Sequence, residues 1–292
     1  MVVEPTSLAP KSKSSSDLVP RVLSALVLAP LAILVAWLPE RFPDPGAWIF
    51  GLFWLIAAIA VWWEWNELVS GPGHRLPFFL GGAAITLSVF VAEFGAARTR
   101  TPILIIILGT LAVGVFARAD RRGWGASGML YGGALLTAPI ILRRDPELGL
   151  AAVLFLFALV WATDIAGYFA GRAFGGPKLA PKISPNKTWS GAIGGSLGAI
   201  VAGVAVAKMF AIENLIGVGI VALALSAASQ AGDLFESAIK RRFGAKDAGK
   251  LIPGHGGVMD RLDGFIFAAA IAAVIGVGRS GLGSAGQGLL LW

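Results

Sequence analysis

Asp260 and Asp263 stand three residues apart in MDRLDG, with Arg261 between them, just after PGHGG, a backbone able to turn tightly because glycine reaches positive φ without steric cost. Two carboxylates at that spacing suit a hard cation such as Mg2+, which takes oxygen ligands and bridges to substrate phosphates. A helix cap would need only one Asp. They close a 28-residue polar stretch, SAIKRRFGAKDAGKLIPGHGGVMDRLDG, at 237–264. It holds six of the 24 Lys and Arg, one of the two His, and three Asp: Asp247, Asp260 and Asp263. So much charge between apolar segments points to a phosphate-bearing substrate handled together with a metal.

Three other groups of polar residues belong to the same argument. Asp233, Ser237 and Lys240 fall at i, i+4 and i+7, on one helix face with Glu236 beside it. A helix-end salt bridge of little energetic value would use the same residues. Asp164 lies inside the apolar run LVWATDIAGYFAGRAFGG, with Tyr168 and Gly171 on its face. An ionisable residue at that depth is expensive and marks a functional candidate, the alternative being a hydrogen bond to a neighbouring helix. The segment GGPKLAPKISPNKTWSG supplies Lys178, Lys182, Lys187, Ser184 and Thr188, groups suited to phosphate, while Pro177, Pro181 and Pro185 restrict the chain. Trp189 is placed to anchor the following helix at a membrane interface.

Positioning these groups falls to membrane helices. The chain is 56% hydrophobic and 14% charged, against roughly 25% charged in soluble domains. The expected fold class is an all-α polytopic membrane protein with about nine transmembrane helices. Apolar runs lie at 22–38, 47–63, 76–93, 102–117, 129–142, 148–170, 190–207, 214–232 and 264–278, the fifth being short and carrying Gly132, Gly133 and Pro139. The 39 Gly and 16 Pro fit such helices when neighbours pack closely. Residues 1–20, rich in Ser, Pro and Lys, read as a disordered cytoplasmic tail. The first apolar run is long and lacks a small-residue cleavage site, which favours a membrane helix over a signal peptide. The expected organisation is then N-terminal transmembrane helices over 21–125 and a catalytic membrane region over 126–292, with cytoplasmic loops at 171–189 and 233–263. The absence of Cys excludes disulfides and thiolate-bound zinc.

Positive charge sets the orientation, because Lys and Arg concentrate on the cytoplasmic side. With nine spans and a cytoplasmic N-terminus, 17 of the Lys and Arg fall on that side and 7 on the other. Loops 171–189 and 233–263 are separated by two spans, so they share a side and can build one site. The net charge of +7 also matches the general attraction of cytoplasmic loops to anionic headgroups. Nucleic-acid binding is not expected, since the charges are divided among loops and form no single soluble face.

These residues carry a resemblance. The stretch 237–263 resembles the signature of phosphatidate cytidylyltransferases, also called CDP-diacylglycerol synthases: Ser, two residues, Lys-Arg, four residues, Lys-Asp, then Pro-x-His-Gly-Gly-x-x-Asp-Arg-x-Asp. Here the matching positions are Ser237, Lys240, Arg241, Lys246, Asp247, Pro253, His255, Gly256, Gly257, Asp260, Arg261 and Asp263. Asp164 through Gly175 is similar to the family's Asp-x-x-x-Tyr-x-x-Gly helix, and 183–191 to its Ser-Pro-Lys-Lys-Thr-Trp-Glu-Gly loop. Asn186 replaces a Lys and Ser190 a Glu of that loop, whereas Ser184, Lys187 and Thr188 are retained. The resemblance covers roughly 155–278, the first four spans matching only in hydrophobic character.

The resemblance implies a reaction of CTP with phosphatidate to give CDP-diacylglycerol and diphosphate, dependent on Mg2+ with or without a second cation. It implies that Asp233 and Asp260 hold the metal, with Asp263 and Asp164 around it, and that Lys240, Arg241, Lys246 and Arg261 bind the triphosphate or the phosphatidate headgroup. Asp247 and His255 complete the expected catalytic set. His255 would either donate to a phosphate or brace the PGHGG turn. Asp164, Tyr168, Ser184, Lys187, Thr188 and Ser237 are expected to bind around the cofactor. A bacterial inner membrane is expected from the compact length. A homodimer is expected from the resemblance and from small-residue faces such as GAIGGSLGAIVAG, which would serve equally to pack helices within one chain. Two other classes share features with this chain. A lipid or polyprenol kinase using CTP is close in chemistry, and a secondary transporter would also have many spans and intramembrane carboxylates, though no inverted repeat stands out.

Overall fold

Long apolar stretches joined by short polar links dictate helices, because only a helix satisfies each backbone N–H and C=O within its own segment when hydrocarbon surrounds it. The computed structural model describes residues 18–70, 75–94, 100–249, 251 and 256–292. In chain order these form α1 (Leu18–Arg41), α2 (Pro43–Ser70), α3 (Arg75–Phe94), α4 (Arg100–Phe116), α5 (Arg122–Arg143), α6 (Gly149–Phe174), β1 (Lys178–Ala180), β2 (Ser184–Thr188), α7 (Trp189–Met209), α8 (Leu215–Arg242), α9 (Met259–Ser280) and α10 (Ala285–Leu290). Among the described residues, seven helices are long and apolar enough to cross a membrane: α2, α3 and α5 to α9; α4 is a shorter apolar helix. The protein is an all-α, multi-pass membrane protein.

The weakest expected span, 129–142, is the core of α5, a helix of 22 residues in which Gly132, Gly133 and Pro139 are all buried. Its glycines are contact points. A Cβ on Gly128 would lie 2.2 Å from the Trp65 ring, and one on Gly133 would lie 2.4 Å from Ile106. Apolar side chains gain little by leaving lipid for a helix interface, so close backbone approach and shape fit drive association here.

The same logic builds the α6–α7 seam. A Cβ on Gly191 would meet the Gly167 carbonyl oxygen at 2.9 Å, and one on Gly195 would meet the Thr163 carbonyl oxygen at 2.7 Å. Gly194 and Gly198 press equally closely on Ala170 and Ala166. The small-residue face of GAIGGSLGAIVAG is therefore occupied by α6 of the same chain.

Two segments differ from the sequence expectation. Helices overrun their apolar runs: α6 continues to Phe174 and α8 to Arg242, so both expected loops begin as helix. The end of α8 is held by an i, i+4 pair between Glu236 and Lys240, and Lys240, Arg241 and Arg242 occupy the last turn, where the helix dipole favours cations. The Pro-restricted loop is an antiparallel hairpin, β1 pairing with β2 through Lys178 opposite Thr188 and Ala180 opposite Ser184. Pro181 lies between the strands and Pro185 within β2, where a two-stranded ribbon always has a free edge to accept a residue without an N–H.

An aromatic layer joins the N-terminal helices to the rest. Trp54 of α2 stacks on Phe265 of α9 with centroids 5.0 Å apart and planes 4° from parallel. Trp65 of α2 stacks on Phe235 of α8, and Tyr131 of α5 lies against both Phe235 and Phe267. At the end of α9 far from Asp260, Asp145 in the α5–α6 turn accepts from the N–H groups of Glu147 and Leu148 at 2.9 Å and from that of Gln287 in α10 at 2.7 Å.

Candidate active site

The C-terminal ends of α6 and α8 and the N-terminal ends of α7 and α9 lie together, with the β1–β2 hairpin among them. Thr188 closes the hairpin and caps α7, its Oγ1 accepting from Gly191 N at 3.1 Å, as Thr commonly does at that position. Ser190 Oγ donates to the Gly175 carbonyl, and Trp189 N donates to the Pro177 carbonyl at 3.0 Å. The hairpin is thereby pinned between the two helices. This fixes Lys187, whose Nζ is ion-paired with Asp233 of α8. Ser237 Oγ, one turn further along α8, donates weakly to the other Asp233 oxygen at 3.5 Å.

Asp164 and Asp263 complete this acidic neighbourhood. Asp164, Asp233 and Asp263 lie within electrostatic range of one another and of Lys187, and Arg261 acts on Asp164. Asp263 Oδ1 also accepts from Gly264 N at 2.7 Å. Beneath it runs a buried polar seam between α6, α7 and α8. Thr163 Oγ1 donates to Ser226 Oγ at 3.0 Å, and Gln230 Nε2 donates to Ser196 Oγ at 3.2 Å. Among the described residues, no group of three or more His, Asp or Glu side chains stands ready-made to hold a metal ion.

A second cluster lies one turn away on α9. Lys240 Nζ sits 2.6 Å from Asp260 Oδ1 and 2.5 Å from Glu236 Oε2, so one ammonium serves two carboxylates. Glu236 is only 1% exposed. Removing an ion from water is costly and is repaid only when partners are close and additional hydrogen bonds are made. Asp260 meets that condition: Oδ2 accepts from Ala248 N at 3.0 Å and from Gly257 N at 2.7 Å. Gly256 turns the chain here with φ of 82°, and a Cβ on it would lie 2.8 Å from Asp260 Oδ2. Asp260 and Asp263, adjacent in sequence terms, thus have different partners. Asp260 knits the loop to α8, and Asp263 faces the acidic group.

Glu64 of α2 enters this region from the N-terminal part of the chain. Its side chain is buried, and it accepts from Val258 N at 3.0 Å and Met259 N at 2.7 Å. Glu64 is not among the residues expected from sequence to form the site, and Glu236 is placed only beside the Asp233–Ser237–Lys240 face, with no role. The signal for Glu64 was present, since VWWEWNEL places an ionisable residue in an apolar run, as happens at Asp164.

The remaining expected residues line the rim. Arg241 is exposed and donates to the Ala245 carbonyl at 3.3 Å; Lys246 and Asp247 are exposed on the following loop, and Arg261 is exposed on the first turn of α9. Tyr168 is exposed on α6 and accepts from Arg172 at 3.0 Å, while Ser184 is partly buried in β2. His255 and Pro253 lie outside the described residues.

This arrangement of basic rim, acidic centre and neighbouring apolar helices suits a reaction between an anionic lipid headgroup and a polyphosphate. Comparison with known proteins gives the relationship. A sequence model of the cytidylyltransferase family matches residues 19–277. The chain belongs to the cytidylyltransferase family. Among its relatives in that family is a phosphatidate cytidylyltransferase of Brucella suis biovar 1 (strain 1330), 42% identical over 263 residues, covering 89% of this chain and 94% of the relative. One of Rickettsia bellii (strain RML369-C) is 30% identical over 269 residues, covering 89% and 91%. One of Bacillus subtilis (strain 168) is 35% identical over 170 residues, covering 56% and 62%. The cytidylyltransferase match begins far ahead of residue 155. It includes α1 to α4, which the sequence reading had matched in hydrophobic character only, and hence the helix that carries Glu64.

Proposed function

We propose that this cytidylyltransferase-family protein transfers the cytidylyl group of CTP to phosphatidate, giving CDP-diacylglycerol and diphosphate. The observation that carries the reading is the convergence of Lys187, Asp233, Lys240 and Asp260 from three separate elements at one end of the bundle, in a chain similar over most of its length to phosphatidate cytidylyltransferases.

A phosphate oxygen of phosphatidate attacks the α-phosphorus of CTP. One P–O bond forms, the bond between the α-phosphorus and its bridging oxygen breaks, and diphosphate leaves with the electron pair. The headgroup is already an anion at neutral pH, so the difficulty is to bring two anions together in line. The exposed cations Arg241, Lys246 and Arg261, with Lys187, supply that neutralisation. Lys240 is committed to Glu236 and Asp260, which makes it a brace for the rim. In this reading the active end faces the cytoplasm, the side that the positive-charge bias of the loops favours.

Mg2+ belongs to this reading as an expectation. The donor type fits a hard cation, because Asp164, Asp233 and Asp263 carry oxygen ligands within electrostatic range of one another, while among the described residues no three of them already stand together as a metal site. Asp233 and Asp263 would hold it. Asp260, whose oxygens already accept from Lys240, Ala248 and Gly257, would join them by giving up those partners. A bound Mg2+ would supply neutralisation of triphosphate charge. A homodimer also belongs to the reading, through a surface other than the glycine face that α6 fills.

The test is incorporation of label. Purified protein given phosphatidate and CTP labelled in the cytosine should place label in lipid. Transfer of the γ-phosphate alone, with cytosine label left in solution, would replace this reading with a CTP-dependent lipid kinase.

A further inference from the structure

The first amides of a helix have no partner within it and must be satisfied from outside. At the start of α9 three consecutive amides are taken by two carboxylates: Gly257 N donates to Asp260, and Val258 N and Met259 N donate to the two oxygens of Glu64. Negative charge is favoured at that end of a helix, and Glu64 is a built-in anion there. These three amides are therefore already taken and are not free to serve the substrate's phosphates.

Glu64 is also gripped by the loop that it holds. A Cβ on Gly249 would lie 2.4 Å from Glu64 Oε1, and a Cβ on Gly257 would lie 2.5 Å from Oε2. Neither glycine has positive φ, so both are needed for space and not for backbone conformation. The side chain that fixes the segment bearing Ala248, Asp260 and Arg261 thus comes from α2, 194 residues from Val258.

We propose that Glu64 is a positioning residue for nucleotide binding: from α2 it fixes the start of α9 and packs against Gly249, which holds the rim cations Arg261 and Lys246 in register for the triphosphate. This rests on the cytidylyl-transfer reading above. Glu64 touches no substrate and acts through backbone.

The variant Glu64→Gln keeps the shape, but its NH2 group faces one of the two amide donors. It should raise the KM for CTP roughly tenfold while kcat changes much less and the variant still inserts in membranes. An unchanged KM, or a loss confined to kcat, would overturn the proposal. If Glu64→Gln does not accumulate, Gly249→Ala in the otherwise intact chain decides, since its new methyl must displace the Glu64 carboxylate: a raised KM supports the proposal and wild-type kinetics overturn it. A double-mutant cycle adds a second readout. Gly249→Ala should add almost nothing in a Glu64→Ala background, where the crowding is gone, and independent, multiplying effects would contradict the contact. Failure of the unmodified protein to label lipid would instead count against the function reading.

Discussion

Lys187, on the last strand before α7, is paired with Asp233, near the end of α8, and so joins the hairpin to the acidic centre. The pair neutralises a carboxylate that would otherwise face Asp164 and Asp263 uncompensated. Lys187→Ala should lower cytidylyl transfer by about 100-fold or more, the scale of losing one preorganised cation at a reacting phosphate. The same variant should saturate at lower Mg2+, because Asp233 loses its internal partner. Activity titrated against Mg2+ for both proteins checks this, and an unchanged midpoint would contradict the placement of Mg2+ at Asp233.

Asp260→Ala should abolish CDP-lipid formation while the protein remains in the membrane. It would leave Lys240 with Glu236 alone and Ala248 and Gly257 without their acceptor. Breaking a fully buried, hydrogen-bonded pair on one side costs about 3–5 kcal/mol; this pair is partly buried, so thermal unfolding in detergent should shift downward by less than that implies. Retained activity would remove Asp260 from the site.

Gly195→Ala should separate α6 from α7, since its Cβ would lie 2.7 Å from the Thr163 carbonyl oxygen. Overpacking of that kind costs typically about 1–3 kcal/mol. The expected result is a lower unfolding temperature accompanied by weaker CTP binding, because the hairpin with Lys187 rides on the start of α7. A stability loss without any change in CTP binding would show that the seam and the hairpin are uncoupled.

Asp145 gives a pH-dependent signature outside the membrane spans. Burial opposes its charge, yet N–H groups of Leu148, Gln287 and Glu147 outweigh that effect and hold the carboxyl below its ordinary 3.8. A group depressed in the folded state stabilises fully above its unfolded value, and that stabilisation fades as pH falls toward the folded one. The gap in unfolding temperature between the wild type and Asp145→Asn should therefore be widest at neutral pH and narrow on acidification. A gap that stays constant down to roughly pH 3 would contradict the assignment.

The path of the chain was largely legible, because apolar length and Pro and Gly placement report helices directly: each of the nine apolar runs falls on one helix. The side shared by the two basic loops followed from counting spans between them, and the Lys187–Asp233 pair places them in contact. Three things were hidden. Spacing put Asp260 and Asp263 together, but a step of three residues turns a helix by most of a full turn and still leaves distinct neighbours, so Lys240 took one and the acidic group the other. The partners of Glu64 were hidden, although its place beside an apolar run was visible, because they are backbone amides far along the chain, and amides leave no mark in a sequence. The helical ends of the expected loops were missed because polar residues at a helix terminus look like loop when only hydropathy is read.

The aromatic layer limits how far this chain can be divided. Trp54 and Trp65 reach from α2 into the interior shared by α5, α8 and α9 and are almost fully buried there. A shortened version beginning after α4 would keep the signature residues but would present two indole-sized voids to lipid and lose the carboxylate that seats α9. The segment with the recognisable motif is therefore not a minimal catalytic fragment, and a search for a smaller working unit should trim elsewhere.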